Sequence, residues 1–290
     1  MKKNIFRIIQ SVFKYIVYFV LSLLLALLIR LFLCNFYVVP SDSMEPAILP
    51  GDFILSDKFT YGARIFNGLK FDRNSDPPII HVPGLRRIQR NDVVVFNFPY
   101  RHEWDTIRMN LEKIFVKRCV GLPGENISAI GGFYHVSGSS DTIGYIPEQK
   151  LLVRNRSSLD SSIIRAVAFD KSFHWDVFDF GPFFIPATGT TIALTTENFK
   201  LYHKLIVFET RAVIRMDDSL VYINDTIKCY YTFRTNWYFV AGDKVMNSQD
   251  SRYIGLIPEE YIIGRASLIL TSKDRIIGKR RWNRMLKRIK

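Results

Sequence analysis

The sequence predicts a mainly β protein in which one N-terminal transmembrane helix precedes an antiparallel β domain with an inserted second β lobe. Near the N-terminus, residues 16–36 are apolar apart from Ser22, Arg30 and Asn35. Beyond them, short apolar runs are separated by Gly, Pro, Asn and Asp, which is the pattern of strands and turns. The aromatic content of 14% also favours β structure, because aromatic side chains are enriched in strands.

The apolar segment 16–36 is predicted to be a retained membrane anchor. A helix rises 1.5 Å per residue, so a bilayer core of roughly 30 Å needs about 20 residues. Residues 1–15 carry four basic residues and no acid, which predicts a cytoplasmic N-terminus and an extracytoplasmic location after about residue 37. Cleavage is not expected, because no A-x-A-like pattern follows and Leu33 is not the small residue that a lipoprotein site at Cys34 requires.

The rest of the chain divides by its patterning into three parts. Residues 37–125 and 238–270 are predicted to form one β core, 126–237 an inserted β lobe, and 271–290 a basic, amphipathic tail. The last stretch of the tail, "RRWNRMLKRIK", is the best helix candidate after the anchor. The predicted strands are "DFILSDKF", "DVVVFNF", "KIFVKRCVGL" and "YIIGRASLIL" in the core and "TTIALT", "LIVFET" and "SLVYIND" in the lobe.

Charge and composition exclude several classes of partner. Of the net charge of +13, much lies in residues 273–290, which hold nine Lys or Arg and one acid. Such a tail suits nucleic acid or an anionic membrane surface, and the anchor favours the membrane over nucleic acid; a solvated, disordered end is the alternative. Three cysteines without a C-x-x-C pair and five scattered histidines predict no disulfide framework, no metal site and no cofactor.

A serine in a proline-bounded loop, "VVPSDSMEPAILPGD", is a candidate nucleophile. Ser43 follows directly after the anchor segment, and turn chemistry alone is the simpler interpretation. A serine hydroxyl needs a base to remove its proton, and no histidine lies in a local motif with Ser43. A lysine can serve as the base when burial lowers its pKa from about 10.4 by several units.

The candidate lysine is Lys117 in "LEKIFVKRCVGLPGE". In a strand, Lys117 and Arg118 point to opposite faces, so one cation is buried while the other is solvated or paired. Taken alone, the strand favours the simpler interpretation of an edge-strand lysine that limits aggregation. A third segment, residues 241–266, is dense in Gly, Asn, Ser, Asp and Arg between two strands, which predicts an ordered loop that supports a site.

Four boxes in this order behind an N-terminal anchor resemble the bacterial type I signal peptidases, which are membrane-bound serine/lysine-dyad proteases. The family box S-x-S-M-x-P-T-L-x-x-G-D appears as "SDSMEPAILPGD", with Asp42 where many members have Gly and Ala47 where Thr is usual. R-G-D-(I/V)-V-V-F appears as "RNDVVVF", with Asn91 for Gly, and K-R-V-V-G-L-P-G-D appears as "KRCVGLPGE". The last box, G-D-N-x-x-N-S-x-D-S-R-x-x-G-x-V-P, appears as "GDKVMNSQDSRYIGLIP", with Lys244 for Asn and Ile257 for Val.

The resemblance implies a catalytic role for residues in each box. It assigns Ser43 as the nucleophile and Lys117 as the general base, with the Ser248 hydroxyl orienting the lysine amine. The Ser43 amide and the Ser41 hydroxyl would form the oxyanion hole. Arg118 would support the site structurally.

Two further expectations concern acidic side chains in these boxes. Asp250 and Arg252 would form a salt bridge that holds the last box in shape. An inward-pointing Asp42 would raise the pKa of Lys117, because a nearby negative charge favours the ammonium form.

The resemblance also implies the substrate and the compartment. Exported preproteins with small residues near the cleavage site would bind as extended peptides, and the enzyme would be a single-pass protein of the bacterial inner (cytoplasmic) membrane. A catalytically silent, membrane-anchored binding or scaffold paralogue is the alternative, although both dyad residues are present. A self-cleaving serine/lysine regulator is a second alternative. Such a protein would carry a DNA-binding element and no anchor, so the predicted anchor argues against it. The residues expected to line shallow substrate pockets are Val39, Pro40, Met44, Ile48 and Val116.

Overall fold

The computed structural model describes residues 2–67, 76–101, 104–165 and 169–290, and the side chains of the first helix from Gln10 onward. Met1 and the side chains of residues 2–9, which hold most of the predicted basic N-terminus, lie outside the described residues, as does His102. The helices are α1 (Lys2–Leu28), α2 (Ile146–Arg154), α3 (Ser161–Ile164), α4 (Thr196–Thr210) and α5 (Ser251–Ile254).

Helix α1 and the π-helical turn that continues it, Ile29–Leu33, cover most of the segment predicted to be the anchor. Residues Gln10–Leu33 are long enough to cross a membrane, and the most apolar 18-residue window within them has a mean hydropathy of 2.7 and is not buried inside the protein. The predicted end of the anchor at residue 36 is wrong by three residues. Cys34–Val38 is a β-strand, because its backbone pairs with Phe53–Asp57 instead of continuing the helix.

Eighteen strands are present within the described residues, and they confirm a mainly antiparallel β fold. The strands are β1 (Cys34–Val38), β2 (Asp52–Asp57), β3 (Arg64–Phe66), β4 (Ile79–His81), β5 (Val93–Phe98), β6 (Asn110–Gly121), β7 (Asn126–Ile130), β8 (Phe133–Val136), β9 (Phe180–Phe184), β10 (Thr191–Ala193), β11 (Ile214–Asp217), β12 (Leu220–Ile223), β13 (Thr226–Lys228), β14 (Tyr230–Thr232), β15 (Trp237–Ala241), β16 (Ile257–Pro258), β17 (Ile262–Ser272) and β18 (Lys287–Arg288).

The main sheet places the candidate site at its centre. Its strand order is β1-β2-β17-β5-β6-β15-β16, with β18 added on β17. Strand β5 is buried along its whole length, because successive side chains face two different hydrophobic clusters. Val93 and Val95 pack with the loop after β1, whereas Val94 and Phe96 pack with the larger cluster that extends into the middle of the chain.

The middle of the chain is a mixed α/β lobe that shares its core with the main sheet. Strands β8-β7-β9 and β11-β12-β13 form two small antiparallel sheets, and β10 pairs with β14. The prediction of a strand at "LIVFET" is wrong, since this run belongs to α4. The Thr195 side chain caps α4 by accepting from the Asn198 amide, and Tyr202, Leu205 and Ile206 are buried at helical spacing.

The C-terminal tail is folded onto the main sheet, so the predicted helix and the alternative of a disordered end are both wrong. After a short 3₁₀ turn at Trp282–Arg284, β18 pairs with β17, and Ile289 is buried in the same cluster as Met44. The Arg284 guanidinium bonds to the buried Asp52 carboxylate at 2.6 Å. A lone helix of this length is marginally stable because it has few backbone hydrogen bonds. The tail is instead held on the sheet by this ion pair and by the strand pairing.

Candidate active site

The loop after β1 and the middle of β6 bring Ser43 and Lys117 into contact. Lys117 Nζ lies 2.6 Å from Ser43 Oγ and 3.1 Å from the Val116 carbonyl oxygen, to which it donates. The two residues are 74 positions apart in sequence, and both are buried. A neutral lysine at this distance can accept the serine proton, which is the requirement for activating the hydroxyl.

The surroundings of Lys117 favour its neutral form. Burial lowers the pKa of Lys117 to about 8, against the weaker, opposite influence of the carboxylates of Asp250 and Asp243. The side chain is 4% exposed and lies 5.2 Å from the centre of the Phe115 ring. About a tenth of the amine is therefore unprotonated at pH 7, and the neutral fraction that a general base requires grows as the pH rises through 8.

Two donors are available beside Ser43, the candidate nucleophile. Ser41 Oγ lies 3.4 Å from Ser43 Oγ and is exposed to the cleft. Across the described part of the chain, no acceptor takes a hydrogen bond from the Ser43 amide. A free amide and a hydroxyl next to the attacking oxygen can stabilise an oxyanion.

The loop before α5 packs against the dyad from the other side. Asp250 and Arg252 form the expected salt bridge at 2.8 Å, with both side chains fully buried. Burial alone would raise the pKa of Asp250, but the Arg252 guanidinium holds it low. A Cβ on Gly242 would lie 2.6 Å from the Ser43 carbonyl oxygen and closer still to Ser248 Oγ, so only glycine fits this approach.

Ser248 is buried beside the dyad but does not hydrogen-bond to Lys117. Its Oγ makes no hydrogen bond of normal geometry to any residue that the structure describes. The orienting role that the resemblance implies for this hydroxyl is therefore not visible in this geometry. The Val116 carbonyl is the second partner of the lysine amine instead.

Arg118 supports the strand next to Lys117 through an acid that the sequence reasoning missed. The Arg118 guanidinium donates to both oxygens of Asp243 at 2.6 Å, and this ion pair is almost completely buried. The signal for Asp243 was its place beside Gly242 in the last box.

Arg118 also donates to the Asn91 carbonyl at 2.8 Å. Asn91 has a φ of 65°, the left-handed region, which explains why Asn is tolerated where the family has Gly.

Asp42 does not point at Lys117. Its carboxylate accepts from Lys244 Nζ at 2.5 Å and from Asn247 Nδ2 at 3.0 Å, and the hydrogen bond from Lys244 lowers its pKa. Lys244 also lies 3.0 Å from a Glu45 oxygen. Two of the departures from the family boxes, Asp42 and Lys244, are thus partners of each other.

A cleft of about 520 Å³ opens beside the dyad between β1 and β6. Four of the five predicted pocket residues line it: Val39, Pro40, Met44 and Val116. Ile48 does not reach the cleft, because it is fully buried in the hydrophobic cluster beneath. Glu112 and Gln249, which the sequence reasoning did not single out, also line the cleft.

The cleft lies between two open strand edges. Strand β1 is the terminal strand of the main sheet, and β15 pairs with β6 only from Arg118 onward. Residues 114–117 therefore present a free backbone edge to the cleft among the strands that the structure describes. In the described ranges, no group of three His, Cys, Asp or Glu side chains is arranged to hold a metal ion.

Comparison with known proteins identifies the family of the chain. The family described as signal peptidase, peptidase S26, matches residues 12–140 and 225–271, more than half of the chain. Signal peptidase I of Buchnera aphidicola subsp. Baizongia pistaciae is 29% identical over 252 residues, covering 85% of this chain and 73% of that protein. Signal peptidase I of Aquifex aeolicus is 26% identical over 262 residues, covering 89% and 84%. The chain belongs to the signal peptidase family, peptidase S26.

Proposed function

We propose that Ser43 and Lys117 are the catalytic dyad with which this serine endopeptidase removes signal peptides from preproteins. Family membership and similarity to signal peptidase I over most of the chain support signal-peptide removal, and do not favour a silent scaffold. The observation that supports the dyad is the buried 2.6 Å contact between Lys117 Nζ and Ser43 Oγ at the wall of a cleft.

In the acylation step, Ser43 Oγ attacks the carbonyl carbon of the scissile peptide bond while its proton passes to neutral Lys117 Nζ. The carbonyl oxygen becomes an oxyanion, which the Ser43 amide and the Ser41 hydroxyl stabilise; one such donor contributes roughly 3–4 kcal/mol. When the C–N bond breaks, the Lys117 ammonium protonates the leaving amine. The products of this step are the free mature N-terminus and an ester of the signal peptide with Ser43.

Deacylation reverses these roles with water as the nucleophile. Lys117 accepts a proton from the attacking water, the C–Oγ bond breaks, and the Lys117 ammonium returns the proton to Ser43. The buried salt bridges of Asp250 with Arg252 and of Asp243 with Arg118 hold the surrounding loops in place during both steps.

The cleft suits an extended peptide with small side chains near the cleavage site. An extended segment between β1 and residues 114–117 would form main-chain hydrogen bonds on both sides. Val39, Met44 and Val116 make the wall beside Ser43 apolar, and we expect the pockets between these side chains to be shallow. These features favour residues such as alanine at the positions that enter the wall.

The apolar helix and the C-terminal tail would hold the cleft at a membrane surface. The segment Gln10–Leu33 would span the inner membrane once, with the basic N-terminus in the cytoplasm and the cleft on the extracytoplasmic side. The loop between β17 and β18 exposes Ile276 (96%), Ile277 and Trp282 beside several Lys and Arg residues. Apolar tips with basic flanks suit contact with anionic lipid.

Cleavage of a purified preprotein by the full-length chain in detergent micelles tests the dyad. Ser43→Ala and Lys117→Ala are each expected to abolish cleavage, whereas Lys228→Met, an exposed lysine in the lobe, is expected to cleave at the wild-type rate. Circular dichroism of each variant controls for folding. Cleavage by a folded Ser43→Ala or Lys117→Ala variant would refute the assignment.

A further inference from the structure

Two of the residues that depart from the family boxes, Asp42 and Lys244, contact each other beside the dyad. Lys244, at a family Asn position, bonds through Nζ to Asp42, at a position where many members have Gly. The same amine contacts Glu45 at 3.0 Å, and Asn247 donates to Asp42. The three charged side chains Asp42, Glu45 and Lys244, here called the latch, are each about one-third exposed.

The latch is directly attached to the nucleophile. Asp42 precedes Ser43 in the chain, and the Lys244 amide donates to the Ser43 carbonyl oxygen at 3.1 Å. The residue before Lys244, Asp243, holds Arg118, the neighbour of Lys117. The dipeptide Asp243-Lys244 therefore bonds to the immediate neighbours of both dyad residues.

We propose that Lys244 is a positioning residue for signal-peptide cleavage, which fixes the Ser43 loop through Asp42 and Glu45 and neutralises the acidic charge that Asp42 brings beside Ser43. The inference rests on the proposed function of the dyad. Positioning is the first half of the role: the Nζ contacts and the backbone bond tie residues 42–45 to the loop that already holds Arg118, the neighbour of Lys117.

Charge balance is the second half of the role. The carboxylates that act on Lys117 are those of Asp250, Asp243 and Asp42, and Glu112 lines the same cleft. Asp250 and Asp243 each have a buried guanidinium partner, Arg252 and Arg118 respectively. The partner of Asp42 is Lys244, so loss of this ammonium would leave two acids, Asp42 and Glu45, uncompensated on the Ser43 loop.

The test compares the pH dependence of kcat and KM for variants of the full-length chain in detergent micelles, with a purified preprotein as substrate. Lys244→Met keeps the length of the side chain and removes its charge. We expect kcat to fall roughly fivefold with little change in KM, in the range for a partly exposed ion pair. We also expect the pH of half-maximal activity to rise by roughly half a unit, because the uncompensated acid favours the ammonium form of Lys117.

Two further variants separate charge balance from simple structural support. Lys244→Arg keeps the charge and is expected to retain the wild-type pH profile. The double variant Asp42→Asn/Lys244→Met removes the acid and its partner together and is expected to return the pH profile to the wild-type position. Lys228→Met is the matched control, since this exposed lysine lies in the lobe, on β13.

Wild-type kcat, KM and pH profile in Lys244→Met would overturn the proposal. An unshifted pH profile in Lys244→Met, or a profile that stays shifted in the double variant, would equally overturn it. Failure of the dyad assignment is detected separately, from cleavage by Ser43→Ala, so a failure of the Lys244 proposal can be distinguished from a failure of the dyad.

Discussion

Replacing Lys117 by Met is expected to abolish cleavage and at the same time stabilise the fold at neutral pH. The lysine is 4% exposed, and Met fills nearly the same volume without a charge. Burial lowers the pKa of Lys117 from 10.5 to about 8. Holding this ammonium inside the native protein therefore costs free energy that an apolar side chain does not cost.

The size of the effect follows from the pKa difference. A shift from 10.5 to about 8 corresponds to about 3 kcal/mol at 1.36 kcal/mol per unit. Met also leaves Ser43 Oγ without this partner, which costs about 1 kcal/mol. The net expectation at pH 7 is a free energy of unfolding about 2 kcal/mol higher for Lys117→Met than for the wild type.

The pH dependence of the free energy of unfolding gives the stronger test. Its sign depends on whether the native or the unfolded state loses the Lys117 proton at the lower pH. Below pH 8 the lysine is protonated in both the native and the unfolded wild type, so the full cost is present. Between about pH 8 and 10.5 the native lysine is neutral while the unfolded one still binds a proton. The wild type therefore gains about 3 kcal/mol relative to Lys117→Met as the pH rises through this window.

The measurement is chemical denaturation of both full-length proteins in detergent micelles, followed by tryptophan fluorescence at pH 7 and at pH 10.5. Other lysines and the tyrosines titrate in both proteins, so the difference between the two curves isolates Lys117. Lys228→Met, an exposed lysine, should match the wild type at both pH values. A difference between wild type and Lys117→Met that does not change with pH would refute the reasoning.

Three other predictions follow from the same geometry. Wild-type kcat/KM should rise with pH to half its maximum near pH 8, because neutral Lys117 is the active form and its pKa is lowered to about 8; an optimum on the acidic side alone would contradict this. Gly242→Ala should lose cleavage while keeping a native circular dichroism spectrum, because its Cβ would lie against Ser248; full activity would show that the close approach is unnecessary. Arg284→Ala should lower the free energy of unfolding by about 3 kcal/mol, since it leaves the fully buried Asp52 carboxylate without its partner; a loss under about 1 kcal/mol in denaturation would show that the tail is not held by this pair.

The fold class was predictable because it depends on local patterning. An apolar run long enough to cross a bilayer predicts an anchor. The short apolar runs and turn residues that follow predict a β domain. The failures came where the local pattern was ambiguous. "LIVFET" is apolar enough for a strand, and its helix is decided by the Thr195 cap and by the buried face of α4.

The candidate site was predictable in its residues but not in its contacts. Resemblance to a family pointed to Ser43 and Lys117, and alternation in a strand predicted that Lys117 and Arg118 diverge. Neither pattern contained the acid that pairs with Arg118, because Asp243 lies 125 positions further along the chain.

By itself the sequence determined the long apolar N-terminal helix, the β class and the two candidate dyad residues, since each depends on residue type and short-range order. Only the tertiary structure decided which charged side chains form ion pairs with each other. Asp42 turns away from Lys117 because Lys244, 202 positions later, is placed beside it, and the basic tail folds because Arg284 reaches Asp52, 232 positions earlier. Electrostatic energies depend on distance and burial, and neither is a property of neighbouring residues in a chain.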